Sequence, residues 1–414
     1  MIDQLPEPRT LPDDVRVRAR RRVSEGMKPG ASTSTAALIA AGVSVLAAGA
    51  VFAGQALHGG AADVAAPSTV PHNGELVGKD RAVVNHVERG KVAPDVLARC
   101  AAAARSHPPV DQWQTVATSH RNGTVLTAFR VPAGVFFCAN TATTTTISAP
   151  DPATIEQGRR KVKILFTTPT GAMAGLVSPD MRFLSLWRIA GSGENTTSPA
   201  LVDGLFLAPD GYLRAETGTQ ALANGEEFAV RAVPKPAPSV VDRPLPPAAR
   251  DTPQAQRFAA CLTDRAVPDP DQFAHGVTAQ VSATSTVVLG RFGDLLVYCL
   301  DGEDPAGASV YDVRDTDGME IVTGSTVASV RASYDFTPLP GGGSVSTNTA
   351  AVGLLLDPRV ASITFTAPGR ADVPAVIGNG TFVLAAPFTD DQVEGRVVVR
   401  DAQGAVLETI TPTR

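Results

Sequence analysis

The chain has 414 residues, a length that gives room for two or three domains with separate hydrophobic cores. Its formal net charge is −5, and the part that follows residue 57 holds 29 basic and 36 acidic residues. This excess of negative charge excludes nucleic acid as an expected partner, because nucleic-acid phosphates bind basic surfaces.

Residues 1–57 predict a basic cytosolic tail followed by one membrane-spanning helix. Residues 31–57 contain no Asp, Glu, Lys or Arg, and they are long enough to cross the hydrocarbon core of a bilayer as a helix. The basic residues precede this segment within 1–30, so the positive-inside rule places the N-terminus in the cytosol. The expected location is the cell membrane, in a single pass, with the rest of the chain outside. A cleaved signal peptide is the alternative interpretation.

Beyond the predicted span, the sequence divides into a stalk, two modules and a linker. The Gly-, Ala- and His-rich residues 58–82 predict a flexible stalk, and the Pro-rich residues 233–252 predict a semi-rigid linker. The two remaining segments are expected to be exported modules: module 1 covers 83–232, and module 2 covers 253–414.

The two modules share phrases in the same order, which indicates an internal duplication. Residues 124–138 align with residues 285–299 without a gap, and this alignment places Arg130 opposite Arg291. Two further pairs of phrases follow downstream: 175–177 with 353–355, and 204–206 with 380–382. Several matches in one order are hard to obtain by chance, so the modules are expected to share one fold.

The four cysteines predict one disulfide in each module. Cys100 and Cys138 are 38 positions apart, and so are Cys261 and Cys299. Equal spacing and an exported location favour these pairs, with pairing between the modules as the alternative. The first cysteine of each pair lies in a helical pattern, and the second ends an apolar β-run. The predicted fold class is therefore α+β, with an N-terminal transmembrane helix and two repeated modules, each a disulfide-stapled helix on mostly antiparallel sheet.

No catalytic, cofactor-binding or metal-binding motif is recognisable. The sequence lacks the Gly-x-Ser-x-Gly, Ser-x-x-Lys, Walker and dinucleotide-binding patterns, and its histidines do not have the spacing of a zinc protease. Asp312, Asp315 and Asp317 fit a hairpin turn better than a calcium site. Lys161 and Lys163 alternate with apolar residues, as on the solvent face of a strand. No cofactor and no metal are therefore expected.

Arg130 and Arg291 are the candidate ligand-binding or structural residues, because both copies of the module keep an arginine at this position. The simplest role for each arginine is a salt bridge beside the disulfide. Contact with a ligand is the alternative role.

The start of the chain, LPEPRTLPDDVRVRARRRV (5–23) before an Ala-rich apolar segment, resembles the cytosolic head of uncharacterised actinobacterial single-pass membrane proteins. The phrases Gly-x-Val-x-Pro and Pro-Ala-x-x-x-Gly-x-Phe resemble a strand pattern in the exported parts of those proteins. The resemblance implies an exported module behind a membrane anchor, and it supplies no substrate and no catalytic residues. Some proteins with this layout regulate sigma factors, but their His-x-x-x-Cys-x-x-Cys zinc motif is absent from this sequence.

These observations favour a membrane-anchored extracytoplasmic binding or structural protein without a catalytic site, since no reactive side chain is duplicated along with the modules. Two alternatives stay open. One is an envelope hydrolase with an unrecognised site, and the other is a transmembrane regulator that acts through its basic cytosolic tail. The expected partners are the lipid bilayer and an extracytoplasmic protein or envelope ligand.

Overall fold

A computed structural model describes residues 86–155, 161–190, 193–210, 219–223, 226–230, 233–263, 265–301, 309–313, 320–338, 344–386, 388 and 394–413. These residues all belong to one compact unit, Pro67–Arg414. The predicted cytosolic tail, membrane-spanning segment and stalk, which together cover 1–82, lie outside the described residues.

The protein is mostly β-sheet, so the predicted α+β class was wrong. The described residues contain only two α-helices, α1 (Pro94–Ala103) and α2 (Pro253–Leu262), of ten residues each. Neither of these described helices has the length and apolar character needed to cross a membrane. Each helix covers a single sheet, and the chain of each module then continues into two further sheets, so strands dominate the fold.

The first strand of module 1 precedes α1, and the other strands of module 1 and of the linker follow it. A 3₁₀ turn (Val110–Gln112) lies between α1 and the second strand. In chain order the strands are β1 (His86–Arg89), β2 (Gln114–Arg121), β3 (Thr124–Val131), β4 (Gly134–Asn140), β5 (Thr144–Ile147), β6 (Val162–Thr167), β7 (Met173–Val177), β8 (Leu184–Ala190), β9 (Gly193–Thr197), β10 (Ala200–Val202), β11 (Leu205–Ala208), β12 (Thr219–Ala223), β13 (Glu226–Val230) and β14 (Ser239–Val241).

The strands of module 2 follow α2 and a second 3₁₀ turn (Pro270–Gln272). In chain order they are β15 (Ala274–Gln280), β16 (Thr286–Phe292), β17 (Leu295–Asp301), β18 (Ser309–Asp312), β19 (Val327–Pro338), β20 (Ser344–Leu355), β21 (Ser362–Thr366), β22 (Val373–Pro374), β23 (Val376–Gly378), β24 (Thr381–Leu384), β25 (Arg396–Arg400) and β26 (Val406–Ile410).

Both modules arrange their strands in the same order. Module 1 has the sheets β1-β2-β3-β4-β5-β14, β10-β11-β7-β6 and β13-β12-β8-β9, which we call its first, second and third sheets. The corresponding sheets of module 2 are β15-β16-β17-β18, β23-β24-β20-β19 and β26-β25-β21-β22. Apart from β1 and β14 at the edges of the first sheet, every described strand of module 1 has a counterpart in module 2.

The layers of each module are held together by apolar cores. In module 1, Val96 and Cys100 of α1 pack on one face of the first sheet, against residues such as Phe129 and Phe136. The other face of that sheet shares a core with the second sheet, whose opposite face packs on the third sheet. Module 2 has the same sequence of layers, from helix to third sheet.

The repeated phrases occupy equivalent places in the second sheets. In module 1, Gly175 lies opposite Phe206 in the register of β7 and β11. In module 2, Gly353 lies opposite Phe382 in the register of β20 and β24. A Cβ atom at Gly175 would lie 2.8 Å from the Phe206 ring, and one at Gly353 would lie 2.6 Å from the Phe382 ring. Glycine is therefore required in both copies, because a Cβ atom would collide with this ring and, more closely, with a backbone carbonyl oxygen of the neighbouring strand.

The two predicted disulfides are confirmed. Cys100 is bonded to Cys138, and Cys261 is bonded to Cys299. The first bond joins α1 to β4, and the second joins α2 to β17, as expected from the helical and β patterns around the cysteines.

Part of the predicted linker is built into module 1. Strand β14 pairs antiparallel with β5, through the partners Ser239 with Thr146 and Val241 with Thr144. Just beyond β14, Asp242 accepts two hydrogen bonds from the guanidinium of Arg99 on α1, at 2.6 and 2.8 Å. Residues 239–242 therefore lie on module 1 and do not act as a free spacer.

A buried carboxylate joins the two modules. Asp269 precedes the 3₁₀ turn of module 2, is 8% exposed, and inserts into the β4–β5 turn of module 1. It accepts hydrogen bonds from the Thr141 hydroxyl (2.7 Å), from the Ala142 backbone N–H (2.8 Å) and from the Thr143 hydroxyl. Three donors to one buried anion fix the contact between the modules.

Replacing Asp269 by alanine is expected to lower the free energy of unfolding by about 2–3 kcal/mol, because hydrogen bonds to a charged group are lost and their donors stay buried. The matched control is Asp271→Ala, which removes an exposed carboxylate two positions away and is expected to cost less than about 0.5 kcal/mol. Chemical denaturation of the full chain measures both changes. Equal stability of the two variants would show that Asp269 does not hold the modules together.

Candidate functional site

Arg130 lies near the end of β3, on the face of the first sheet that packs against the second sheet. Its neighbours Phe129 and Val131 are buried against α1. Side chains alternate along a strand, so Arg130 points to the side away from the helix. The register pairs Arg130 with Gln114 on β2 and with Val135 on β4. The exposed guanidinium is therefore placed at the rim of the space between the two sheets.

A cleft of about 340 Å³ opens beside Arg130, and we call it the Arg130 cleft. Its walls come from the β3–β4 turn, residues 152–155, the end of β7 and the β10–β11 turn. Several of the residues that line it are apolar, among them Val135, Ile155, Leu176 and Leu205, which belong to or pack against the core between the first and second sheets. An apolar surface with a few polar groups at its edge is typical of small-molecule sites.

One wall of the Arg130 cleft depends on Gly134. The backbone groups of Val135 and Asp151 exchange two hydrogen bonds, of 2.9 and 2.8 Å, which hold the segment 152–155 in place. A Cβ atom at Gly134 would lie 2.0 Å from the Asp151 carbonyl oxygen, and the φ of Gly134 is +128°. Only glycine has both the backbone freedom and the small size that this close approach requires.

Substituting Gly134 by alanine is expected to destabilise the protein by about 1–3 kcal/mol and to displace residues 152–155 from the cleft. The control is Gly293→Ala in the equivalent hairpin of module 2, where φ is +60° and no atom lies within 4 Å of the added Cβ. That variant carries the backbone strain without the collision, so it is expected to cost about 1 kcal/mol. Thermal unfolding compares the two variants, and an equal loss in both would argue against the close approach.

Arg291 occupies the equivalent position in module 2, and its guanidinium donates hydrogen bonds to backbone carbonyl oxygens of the same module. Its Nε donates to the Gly293 carbonyl oxygen at 2.9 Å. Its Nη1 donates to the carbonyl oxygens of Leu355 at 3.4 Å and Gly380 at 3.5 Å. The backbone around it matches module 1, since Leu355 N–H donates to Gly380 at 2.9 Å just as Val177 N–H donates to Gly204 at 2.8 Å.

The two equivalent arginines therefore differ in what they contact. Arg291 closes the space between the first and second sheets of module 2 by donating to the protein's own carbonyl groups. Arg130 makes no hydrogen bond and no ion pair with the described part of the chain. The salt bridge beside the disulfide, expected from the sequence for each arginine, is found for neither within the described residues.

Asp203 is the other ionisable residue that lines the Arg130 cleft. Its carboxylate accepts a hydrogen bond from Arg89 Nη1 at 2.9 Å, and both side chains are about half exposed. Asp203 is therefore paired with Arg89, whereas Arg130 has no ion-pair partner in the described residues. Asp203 has a φ of +47° in the β10–β11 turn, a conformation that Asp tolerates better than most residues.

The remaining residues weighed in the sequence lie elsewhere. The disulfide cysteines are part of the cores between helix and sheet. His275 contacts Thr278 through Nε2 at 3.0 Å, and burial, with a smaller effect of the Arg250 charge, lowers its pKa. Asp315 and Asp317 lie outside the described residues. Within the described part of the chain, no group of three or more His, Cys, Asp or Glu residues is arranged to hold a metal ion.

A larger cavity, of about 720 Å³, lies beside the third sheet of module 2. It is lined by the ends of β21 and β25 and by the C-terminal residues 411–413. Phe388 and Glu394 at its rim flank residues 389–393, which are outside the described part. Arg130 and Arg291 do not contribute to its lining.

Sequence reasoning identified Arg130 but missed the walls of its cleft. Leu176, Val177, Gly204 and Leu205 lie in the phrases that module 1 shares with module 2, so the repeat pattern contained a signal for this wall. Residues 152–155 had no such signal, because their position depends on the Gly134 contact with Asp151 and on no local pattern. Comparison with protein-family models, with curated proteins and with solved structures found no match to this chain.

Proposed function

We propose that this protein is an extracytoplasmic binding protein that holds a small ligand in the Arg130 cleft of module 1. The observation that supports this function is the difference between the two copies of the module. Module 2 satisfies Arg291 with its own backbone carbonyls, whereas Arg130 stands at an open cleft without a partner in the described residues. One copy is then the ligand-binding module, and the other is a structural support.

Two features support a location outside the cytosol. Both modules contain a buried disulfide, and disulfides persist mainly in oxidising compartments. The basic residues within 1–30 precede the apolar residues 31–57, which favours a cytosolic N-terminus and an attachment to the outer face of the cell membrane. Trypsin added to intact protoplasts is expected to digest the modules. Protection from trypsin until lysis would contradict this location.

The composition of the cleft favours binding over catalysis. Its polar side chains in the described residues are Arg130, Thr154 and Asp203, and Asp203 is held by Arg89. A hydrolytic site needs a nucleophile or a bound water next to a general base. The purified full-length chain is therefore expected not to hydrolyse peptidoglycan, ester or peptide substrates. Turnover that disappears on substituting a single polar residue of the cleft would replace this proposal with the hydrolase alternative.

A fragment screen on the full-length chain tests the binding site directly. We expect fragments to shift the NMR signals of methyl groups that line the cleft, such as those of Ile155 and Leu205. Thr154→Trp places a bulky side chain at the exposed rim and is expected to abolish these shifts. The matched control, Thr411→Trp, fills the larger cavity of module 2 and is expected to leave them unchanged. Fragments whose binding is abolished by Thr411→Trp and unchanged by Thr154→Trp would overturn the proposal, because they would bind in the larger cavity of module 2.

A further inference from the structure

We infer that the ligand of the Arg130 cleft is a carboxylate attached to an apolar group, such as an aliphatic acid or the C-terminal end of an apolar peptide. This inference rests on the proposed function, because it names the ligand class of the same cleft. It is carried by three features of the described residues: the unpaired guanidinium, the single basic side chain in the lining, and the apolar walls.

The charge at the cleft favours a ligand with one negative charge. The Asp203 carboxylate is paired with Arg89, whereas Arg130 is a lining side chain that has no ion-pair partner in the described residues. A guanidinium is a planar fork of N–H donors that matches the two oxygens of a carboxylate. In module 2 the equivalent donor, Nη1 of Arg291, points at the carbonyl oxygens of Leu355 and Gly380. A carboxylate supplied by the ligand is the oxygen acceptor that Arg130 lacks.

The backbone around the cleft argues against a phosphate. Phosphate sites in proteins combine several backbone N–H donors or several basic side chains to balance two negative charges. At this cleft the N–H group of Val135 donates to Asp151, and the N–H group of Val177 donates to Gly204. These donors are already used, and Arg130 is the single basic side chain among the lining residues. A monocarboxylate requires no more than this one guanidinium.

The walls favour an apolar group behind the carboxylate. Val135, Leu176 and Leu205 belong to the core between the first and second sheets that borders the cleft, and Ile155 packs against the same core while staying partly exposed. Burial of ligand carbon against such a surface is favourable because it removes apolar area from water. With about 340 Å³ available, the cleft fits a group the size of one or two amino-acid residues.

Calorimetric titration of the full-length chain with three small probes tests this inference. N-acetyl-leucine carries the carboxylate, N-acetyl-leucinamide is its neutral match, and hexanoate is an acid without a peptide group. We expect N-acetyl-leucine to bind up to about fivefold more tightly than the amide, because its carboxylate can pair with the Arg130 guanidinium and an ion pair at an exposed position is weak. Tighter binding of hexanoate than of N-acetyl-leucine would identify the ligand as an aliphatic acid. Tighter binding of N-acetyl-leucine would identify it as the C-terminal end of a peptide. Either result supports a carboxylate attached to an apolar group.

The duplicated arginines provide matched variants. Arg130→Gln is expected to remove the preference for the acid over the amide, while Arg130→Lys keeps part of it as a point charge. Arg291→Gln is the control, and it is expected to change the affinity for N-acetyl-leucine by less than about twofold, because it lies in the other module. Circular dichroism of each variant verifies that it is folded.

Two contrary results separate the failure of the inference from the failure of the proposed function. Equal affinities for acid and amide, both abolished by Thr154→Trp, would overturn the carboxylate and leave the cleft as a binding site. Binding of neutral fragments in the cleft without any binding of the acids would have the same meaning. A cleft that binds neither the acids nor the fragments would overturn both proposals.

Discussion

Replacing Arg99 by alanine is expected to lower the free energy of unfolding by about 3 kcal/mol, at the lower end of the cost of breaking a buried ion pair. Arg99 is 9% exposed, and it donates two hydrogen bonds to Asp242 and one each to the carbonyl oxygens of Thr141 and Thr144. The variant leaves these three acceptors behind without their donor. Arg99 thereby connects α1, the β4–β5 turn and the linker, and removing it affects all three.

The control for Arg99 is Arg243→Ala. Arg243 lies 3.5 Å from Asp95, and both of these side chains are at least half exposed. An exposed pair of this kind contributes less than about 1 kcal/mol. Urea denaturation at neutral pH measures both variants. A loss below about 1 kcal/mol for Arg99→Ala would show that the buried pair is not a significant source of stability.

The effect of Arg99→Ala is expected to depend on pH in a defined direction. The hydrogen bonds from Arg99 lower the pKa of Asp242 below its ordinary value of 3.8, against the opposing effect of burial. A lowered folded-state pKa contributes stability that is present above the unfolded-state pKa and is lost as the pH falls through the folded-state pKa. The difference in stability between wild type and variant should therefore shrink below about pH 4. A constant difference down to about pH 2 would contradict the role of Asp242.

Removing the disulfide of module 1 by the double substitution Cys100→Ala, Cys138→Ala is expected to cost about 4 kcal/mol, from the entropy of the 38-residue loop that it closes. The bond is fully buried, and the Nδ2 group of Asn140 contacts both sulfur atoms at 3.3 and 3.5 Å. The double substitution therefore also removes both sulfur partners of this buried amide.

The equivalent double substitution in module 2, Cys261→Ala with Cys299→Ala, is the matched comparison. Both loops have the same length, so the loop-closure model predicts equal losses. Thermal unfolding of the two double variants, with and without reductant, separates the contribution of each bond. If a double variant loses less than about 1 kcal/mol of its free energy of unfolding, the removed disulfide does not restrict the unfolded chain as the loop-closure model requires.

The repeat and the disulfides were accessible from the sequence because each leaves a local signal. Equal cysteine intervals and the aligned Arg130 and Arg291 mark equivalent strands, and the phrases around Gly175 and Gly353 mark a glycine that faces a phenylalanine ring. The fold class was predicted wrongly because the helical pattern around each cysteine is conspicuous, whereas each described helix has only ten residues and covers one of the three sheets of its module.

Other features depend on contacts between distant parts of the chain. Arg99 shares a helical face with Val96 and Cys100, which was a sign that it is buried, but its partner Asp242 lies 143 positions away. Strand β14 follows a Pro-rich stretch that is typical of an extended spacer, and only its pairing with β5 reveals its place in the sheet. The contrast between Arg130 and Arg291 likewise depends on carbonyl groups of a second sheet, which no local pattern encodes.

The proposed binding site depends on a difference between two equivalent arginines, and exchange of their Nε hydrogens measures that difference most directly. In ¹⁵N NMR spectra of the full-length chain, the Nε–H of Arg291 is expected to exchange slowly because it donates to Gly293. The Nε–H of Arg130 is expected to exchange rapidly and to slow down when N-acetyl-leucine is added. Equal protection of the two groups without ligand, or an equal response of both to N-acetyl-leucine, would contradict the account.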